Sequence, residues 1–514
     1  MSTIKKTKFN HDGSEKAVSD AVRQFAADQT LMRINKESTL ILMNEDNGNA
    51  FSGARYLEFL GYEGNRTPKK QVVIANGWVL LDLAYYVIKH SNDYRGKATV
   101  SGEELAALIS VVTARFQRWE HEELERIKLN SDINVDLMFY LWGFSGEQFK
   151  FQKLKNCFDT ASRELYILLE CGKRIGISTD VAGLILSETG LEWNEVLAFI
   201  FLAWFQSTQD AFLLGVKNKI NWDEQFTYDK YCSLLKRYTT TYDEVRKDSY
   251  HLGRQQLYTK PYIQTQKGAI ISVNTYLNLF LYEHCLLWIV RDYYNRSQNQ
   301  QFTSEFGLCF EEYFREILSR YLNEADYQRV PEAPAKRADW RITLGNIKIL
   351  VEQKSSFLSL LVKQQEADIE KYKEYCTKYI FKALKQLENT EVFYNDGKYI
   401  KIILLYEEYL KSEMLDDIFR LSGCEVQDDG YYWLITIPEM EMLLSFYHSD
   451  PHGFYGLIEE KIELETKKSK DGRSIEQLLN SRSILDNTHL EREEFLKYRN
   501  VANDTLRSHL GHDR

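Results

Sequence analysis

The stretch Ala338–Ser356, reading ADWRITLGNIKILVEQKSS, constrains this chain more than any other. Two strand-like runs flank Gly345-Asn346, and a two-residue loop that begins with Gly signals a hairpin because Gly accepts the positive φ such turns need. With those two residues as the turn, Leu344 faces Ile347, and Trp340 and Ile342 face Val351 and Ile349, which makes one face of the ribbon apolar. The opposite face is polar. There Asp339 lies across from Glu352, and Lys354, two residues on, projects to the same side. Facing residues have Cβ atoms about 4.5–5.5 Å apart, so two carboxylates in this position repel unless positive charge lies between them. A divalent cation meets that need. Mg²⁺ or Mn²⁺ takes oxygen ligands, commonly one or two carboxylates from the protein with water and phosphate completing the shell. Asp339 and Glu352 are the candidate ligands, and Lys354 is placed to orient a water or to neutralise developing charge. The chemistry this implies is phosphodiester hydrolysis.

The flanking segments supply the elements of an α/β layer. In the helix expected over 303–322, Phe306, Phe310, Phe314, Ile317, Leu318 and Tyr321 recur at helical spacing, with Glu311 at the edge of the stripe and Glu305 and Glu312 as alternatives. After the hairpin, Gln364–Leu387 reads as a second amphipathic helix with Ile369, Tyr372, Cys376, Ile380, Ala383 and Leu387 on its core side. Lys371, Lys378, Lys382 and Lys385 share its other face, where they would meet a phosphate backbone, a solvated charged face being the alternative. Tyr399–Tyr406 is a nearly continuous apolar strand of the kind found inside a covered sheet, Glu413–Leu421 a short helix and Tyr431–Ile437 another strand.

At Asp339 and Glu352-Gln353-Lys354 the sequence resembles the PD-(D/E)xK nuclease superfamily, the restriction-endonuclease-like fold, whose signature is an Asp on one strand and a Glu-x-Lys on the next. Ala338 stands where the named Pro would be, and the following helix carries no clean Gln-x-x-x-Tyr, which leaves the RecB-like subgroup unassigned. The resemblance covers about 303–440. It implies a mixed sheet flanked by helices and a further catalytic Glu from the preceding helix, here Glu311 after Phe310. It also implies Mg²⁺- or Mn²⁺-dependent cleavage of nucleic acid, with DNA the expected polymer. The layout resembles bacterial defence or restriction nucleases, in which an accessory region recognises a trigger, a nucleic-acid feature or a partner. Glu-x-Lys alone is unspecific in a chain with 27% charged residues, and Glu465-Thr466-Lys467 repeats it without a preceding strand. The rival reading is a non-catalytic nucleic-acid-binding or assembly protein that keeps this fold.

A length of 514 residues exceeds one ordinary core. We expect an α+β multidomain chain: a mixed segment over 1–65, a mainly helical accessory region over 66–300, the nuclease-like α/β domain over 301–450 and a charged, polar, mobile helical tail over 451–514. With only 6 Pro and 33 Tyr, long disordered linkers are not expected. Glu15–Asp28, Gln71–His90, Ala161–Cys171, Trp193–Leu214, Glu224–Lys247 and Ser272–Tyr294 read as helices, and Thr39–Met43 as a short strand. Ser101-Gly102-Glu103-Glu104 is a capping box. The pair Glu283-His284 within an apolar helix reads as a satisfied core contact. His121-Glu122 lacks the second His of a zinc-protease motif, and His448–His452, interrupted by Pro451, reads as a loop. No phosphate-binding G-x-x-x-x-G-K-[ST] occurs, so no ATP motor is expected. Seven scattered Cys without a C-x-x-C pair fit neither a zinc ribbon nor a disulfide framework and suit a reducing cytoplasm. The longest apolar run, Val196–Phe205, is too short to span a bilayer, and no membrane association is expected. A net charge of −10 requires the basic groups of a nuclease to be local to its cleft, and the helical region offers the surface for a protein partner or homo-oligomer.

Overall fold

The computed structural model of the chain describes residues 9–45, 54–61, 69–91, 99–128, 154–209, 212–214, 222–357, 369–406, 410, 412–422, 430–467 and 474–510. Its class is α+β: mainly helical before residue 300, then a five-stranded mixed sheet with helices on both faces. Among the described residues no helix is long and apolar enough to cross a membrane.

The first helices are α1 (Glu15–Val22) and α2 (Ala27–Glu45), and α2 takes in Thr39–Met43, which was expected as a strand. Leu31, Ile34, Ser38 and Ile41 are buried along one side of α2, and this longer helical period overrides the β-branched residues of a five-residue window. The run Gln71–His90 is divided at Asn76. Strand β1 (Ala54–Gly61) pairs antiparallel with β2 (Lys69–Asn76), and helix α3 (Gly77–His90) begins at once. The Asn76 side-chain oxygen accepts the Val79 N–H at 2.9 Å, which caps the helix inside an otherwise apolar stretch. Helix α4 (Gly102–Lys128) opens with the expected box, Glu104 N–H donating to Ser101 Oγ at 3.2 Å and Ser101 N–H to Glu104 Oε2 at 2.9 Å.

Helix α5 (Leu154–Leu165) continues as a π-helical stretch to Cys171. Helix α6 (Trp193–Gln209) stops before β3 (Phe212–Leu214), and the helix expected over 224–247 is broken after α7 (Tyr228–Arg237) by β4 (Thr239–Thr241). Three consecutive Thr, branched at Cβ, favour extended backbone there. With β5 (Tyr262–Gln264) and β6 (Ile270–Ser272) these strands form a small sheet in the order β3-β6-β5-β4, so the region is not wholly helical. Helix α8 (Thr275–Arg296) carries His284, whose Nδ1 lies 3.2 Å from Glu164 and whose Nε2 lies 3.6 Å from Glu283, a satisfied contact as expected.

The second region follows the expected order with one added strand. Helix α9 (Gln301–Tyr321) leads to β7 (Tyr327–Arg329), the hairpin β8 (Trp340–Leu344) and β9 (Ile347–Lys354), then α10 (Ile369–Tyr375), a π turn over Cys376–Ile380 and α11 (Phe381–Tyr394). The start of that expected helix, 364–368, lies outside the described residues. Strand β10 (Ile400–Leu405), helix α12 (Leu415–Ser422) and strand β11 (Tyr432–Thr436) complete the layer. The sheet order is β11-β10-β9-β8-β7, parallel through β9, β10 and β11 and antiparallel through β7, β8 and β9. Side-chain alternation divides it into two faces. Trp340, Ile342, Val351, Ile402 and Trp433 join the core that contains Phe310 and Phe314 of α9. Leu350, Ile403 and Leu434 join a second core with Cys376, Ala383 and Leu387.

Helices α13 (Ile437–Ser449) and α14 (Pro451–Thr466) are separated by Asp450 alone, whose carboxylate accepts the Gly453 N–H at 2.9 Å. The expected loop at His448–His452 is therefore a tight helix junction. The expected polar, mobile tail is instead packed, with Leu478, Leu479, Leu490, Phe495, Tyr498 and Ala502 buried and α15 (Val501–Leu510) against α6. These residues stand singly or in pairs among charges, so their joint burial is invisible in a local window.

Arg163 of α5 and Glu441 of α13 form a buried bidentate pair at 2.6 and 2.9 Å, and Tyr313 Oη and Asn487 Nδ2 each donate to the same carboxylate at 2.5 Å. Burial acts to raise the Glu441 pKa, but Arg163, with His489 and the Tyr313 hydroxyl, outweighs it and holds the carboxyl below its usual range. Removing one partner leaves a buried charge unpaired. Arg163→Met or Glu441→Leu alone should cost about 3–5 kcal/mol in urea unfolding, while the two together should recover much of the loss; strictly additive losses would show that the two side chains do not act as a pair.

Candidate active site

The hairpin adopts the expected register, Trp340 opposite Val351, Ile342 opposite Ile349 and Leu344 opposite Ile347. Gly345 has φ of +58°, the left-handed value that the turn requires and that an L side chain resists. Asp339 stands just before β8. Its N–H donates to the Val351 carbonyl at 3.0 Å, and its Oδ2 accepts the Gln353 N–H at 2.7 Å. Glu352, 2% exposed, and Lys354 project toward the helix face formed by α10 and α11. Lys354 Nζ pairs with Glu352 Oε1 and reaches Gln386 Oε1 of α11 at 3.3 Å.

Helix α11 fixes the other strand as well. Gln386 Nε2 donates to the Arg337 carbonyl at 3.1 Å, Asn389 Nδ2 to the Lys336 carbonyl at 3.1 Å, and Thr390 Oγ1 accepts the Ala338 N–H at 2.7 Å. Three side chains of one helix thus hold the segment that delivers Asp339. Gln386, Asn389 and Thr390 escaped the sequence reading. Their only local signal is position: they lie just outside, or at the margin of, the apolar stripe Ala383, Leu384 and Leu387.

Burial is the main reason that the Glu352 carboxyl is pushed up to about 8, and the neighbouring Asp339 charge adds to it against the pull of Lys354. Asp339 is raised too, by burial first, with the Gln353 N–H and Lys354 opposing. Glu352 Oε2 is buried and has no hydrogen-bond partner among the described residues. An orphaned carboxylate oxygen beside a second carboxylate, in a set made only of oxygens, fits a hard divalent cation. Asp339 and Glu352 are the residues that could hold it.

Glu311 comes from α9, which packs on the opposite face of the sheet from α10 and α11. Its carboxylate meets Arg329 of β7 at 2.7 Å and lines a cleft of about 690 Å³ with Leu308, Tyr327 and Trp340. Burial raises its pKa, Arg329 opposes this, and Asp339 contributes further. Among the described residues no group of three or more His, Cys, Asp or Glu is placed to hold one ion, so the structure does not assemble Glu311 with Asp339 and Glu352 as a ligand trio. Glu305 is bonded to Ser178 and Thr179, and Glu312 to Arg315.

Lys371, Lys378, Lys382 and Lys385 are all exposed. The π turn at Cys376–Ile380 interrupts their common face, because its wider winding absorbs an extra residue between Lys371 and Lys382. Lys378 lies within that turn, 5.1 Å from the Tyr379 ring centre. Lys382 is one α-helical turn before Gln386 and shares its side of α11, with Lys385 adjacent.

Because the fold raises the Glu352 pKa above the ordinary 4.5, stability from its neutral form is complete below that value and is lost as pH rises through about 8. In chelator, the melting temperature should therefore fall between about pH 5 and about pH 8.5, and Glu352→Gln should flatten that fall. Parallel pH slopes for the two proteins would show that Glu352 is not held neutral. Compared with family models, with curated proteins and with solved structures, the chain matches none.

Proposed function

We propose that this chain is a metal-dependent phosphodiesterase acting on nucleic acid, with DNA the leading substrate, and that residues 301–450 form a restriction-endonuclease-like domain. The observation that carries this reading is the unpartnered, buried Glu352 Oε2 beside Asp339 and Lys354. Asp339 and Glu352 would hold Mg²⁺ or Mn²⁺. When bound, such an ion lowers the pKa of a water and withdraws charge from a phosphoryl oxygen. Lys354, fixed between Glu352 and Gln386, presents one positive charge where a water or a phosphoryl oxygen arrives. Gln386 ties Lys354 to the segment bearing Asp339, so the two strands hold their separation as charge changes. The resemblance implies a defence- or restriction-type role in which the region before residue 300 senses the trigger.

The test is cleavage of plasmid, linear duplex, single-stranded DNA and RNA with Mg²⁺, with Mn²⁺ and in chelator. We expect cation-dependent cleavage that Asp339→Asn abolishes. No cleavage of any substrate, together with unchanged cation affinity in Asp339→Asn, would leave a binding or assembly module on this fold. Lys354→Ala should slow single-turnover cleavage by about 10²–10³ while leaving nucleic-acid binding within a few-fold, because one electrostatic stabiliser acts on the transition state whereas binding is spread over many phosphate contacts. Wild-type single-turnover rates in Lys354→Ala would remove Lys354 from the chemistry.

A further inference from the structure

Beside the carboxylate pair, one side of α11 carries a sequence of groups of which the hydrolytic reading uses only Gln386. Lys382, Gln386, Asn389 and Phe393 fall at steps of four, three and four residues, which places them along one ridge of the helix, with Lys385 and Val392 on its flank. The buried side of the same helix is taken by Ala383, Leu384, Leu387 and Thr390. At the far end of the ridge the Arg337 guanidinium lies 3.4 Å from the Phe393 ring centre. Phe393 is nevertheless 45% exposed and Val392 78% exposed, so an aromatic ring and an aliphatic side chain face solvent where packing does not require them. Arg337 is itself held near by the Gln386 and Asn389 bonds to its segment.

The charge along this track is also one-sided. Lys382 and Lys385 are exposed and no carboxylate of the described residues pairs with them, while the nearby Glu391 is engaged by Lys401 at 2.6 Å and Glu388 accepts from Tyr432 at 3.3 Å. Cations that meet a backbone, followed by an aromatic ring under a guanidinium that meets a base, are the two parts of a single-strand binding surface. Phe393 stands seven positions beyond Gln386, and at 1.5 Å per residue the stack lies roughly 10 Å along the helix from the group that touches Lys354. That is the reach of one to a few nucleotides.

We infer that the α11 ridge is a track for single-stranded nucleic acid, in which Lys382 and Lys385 meet phosphates and the Arg337–Phe393 stack receives an unpaired base beside the carboxylate pair. The inference rests on the phosphodiesterase reading for its substrate class, but it is tested by binding and not by turnover. Duplex DNA, whose bases are stacked on one another, cannot use the ring; an unpaired strand or a frayed end can.

The experiment is fluorescence anisotropy of the full chain, in chelator and at fixed moderate salt, with labelled dT and rU 20-mers and a blunt duplex of the same length. Wild type should bind at least one single strand more tightly than the duplex, and the dT and rU arms decide between DNA and RNA. Phe393→Ala should weaken single-strand binding by roughly 5- to 100-fold, the range for loss of one base-stacking ring. Phe393→Leu, which keeps apolar bulk without a ring face, should lose as much, and Phe393→Trp should retain affinity, with melting temperatures verifying that each variant folds. Unchanged binding in Phe393→Ala, equal binding by Leu and Phe, or a preference for duplex overturns the track. Loss of single-strand binding in Phe393→Ala by a protein that cleaves nothing would keep the track and remove the hydrolytic reading.

Discussion

Asp339 and Glu352 are brought to the same side of a hairpin where both are largely withdrawn from water, and the cost of burying two carboxyl groups together, which raises the pKa of each, sets the terms for the contacts around them. The Gln353 amide satisfies one carboxylate and Lys354 half of the other, which leaves Glu352 Oε2 without a partner among the described residues. A buried oxygen left in this state is costly for a protein that only needs to fold. The arrangement is tolerated because the strands cannot relax: β9 is hydrogen-bonded on both sides, to β8 and to β10, and Asp339 is tied to Val351 through the backbone.

Helix α11 turns that local tension into a defined geometry. Its apolar side fixes it against the sheet, and its margin reaches across to Arg337, Lys336 and Ala338 through three hydrogen bonds. The same helix therefore sets the position of Asp339, restrains Lys354 and offers its outer ridge to solvent. On the opposite face of the sheet, α9 packs its Phe stripe and is bonded through the Phe310 carbonyl to Gln353. The buried Arg163–Glu441 pair joins this layer to the helical region, so that the sheet is supported from both ends of the chain.

Local pattern made the hairpin readable. Alternation of Trp340, Ile342 and Leu344 against Ile347, Ile349 and Val351, with Gly345 at the turn, permits one register, because a slip of one residue would turn every apolar side chain to the polar face. The capping box at Ser101, the stripe of α9 and the buried strand β10 were equally legible, since each is decided by contacts within one element or one apolar face. Thr39–Met43 and Gln71–Asn76 were misjudged for the reverse reason: short windows of β-branched and apolar residues fit both periods, and only a longer helix or a paired strand decides between them.

By itself the sequence determined the strand pair, its register and the shared side of Asp339, Glu352 and Lys354, because a hairpin's geometry follows from a turn and a period of two. The tertiary structure alone decided what surrounds them. Arg329 reaches Glu311 because edge strand β7 pairs with β8, and the π turn breaks the lysine face that a regular helix would keep. Gln386 lies 32 residues from Lys354 and meets it only once α11 has packed. Such contacts depend on where whole elements come to rest, which is fixed by the burial of many residues together and by no short run of sequence.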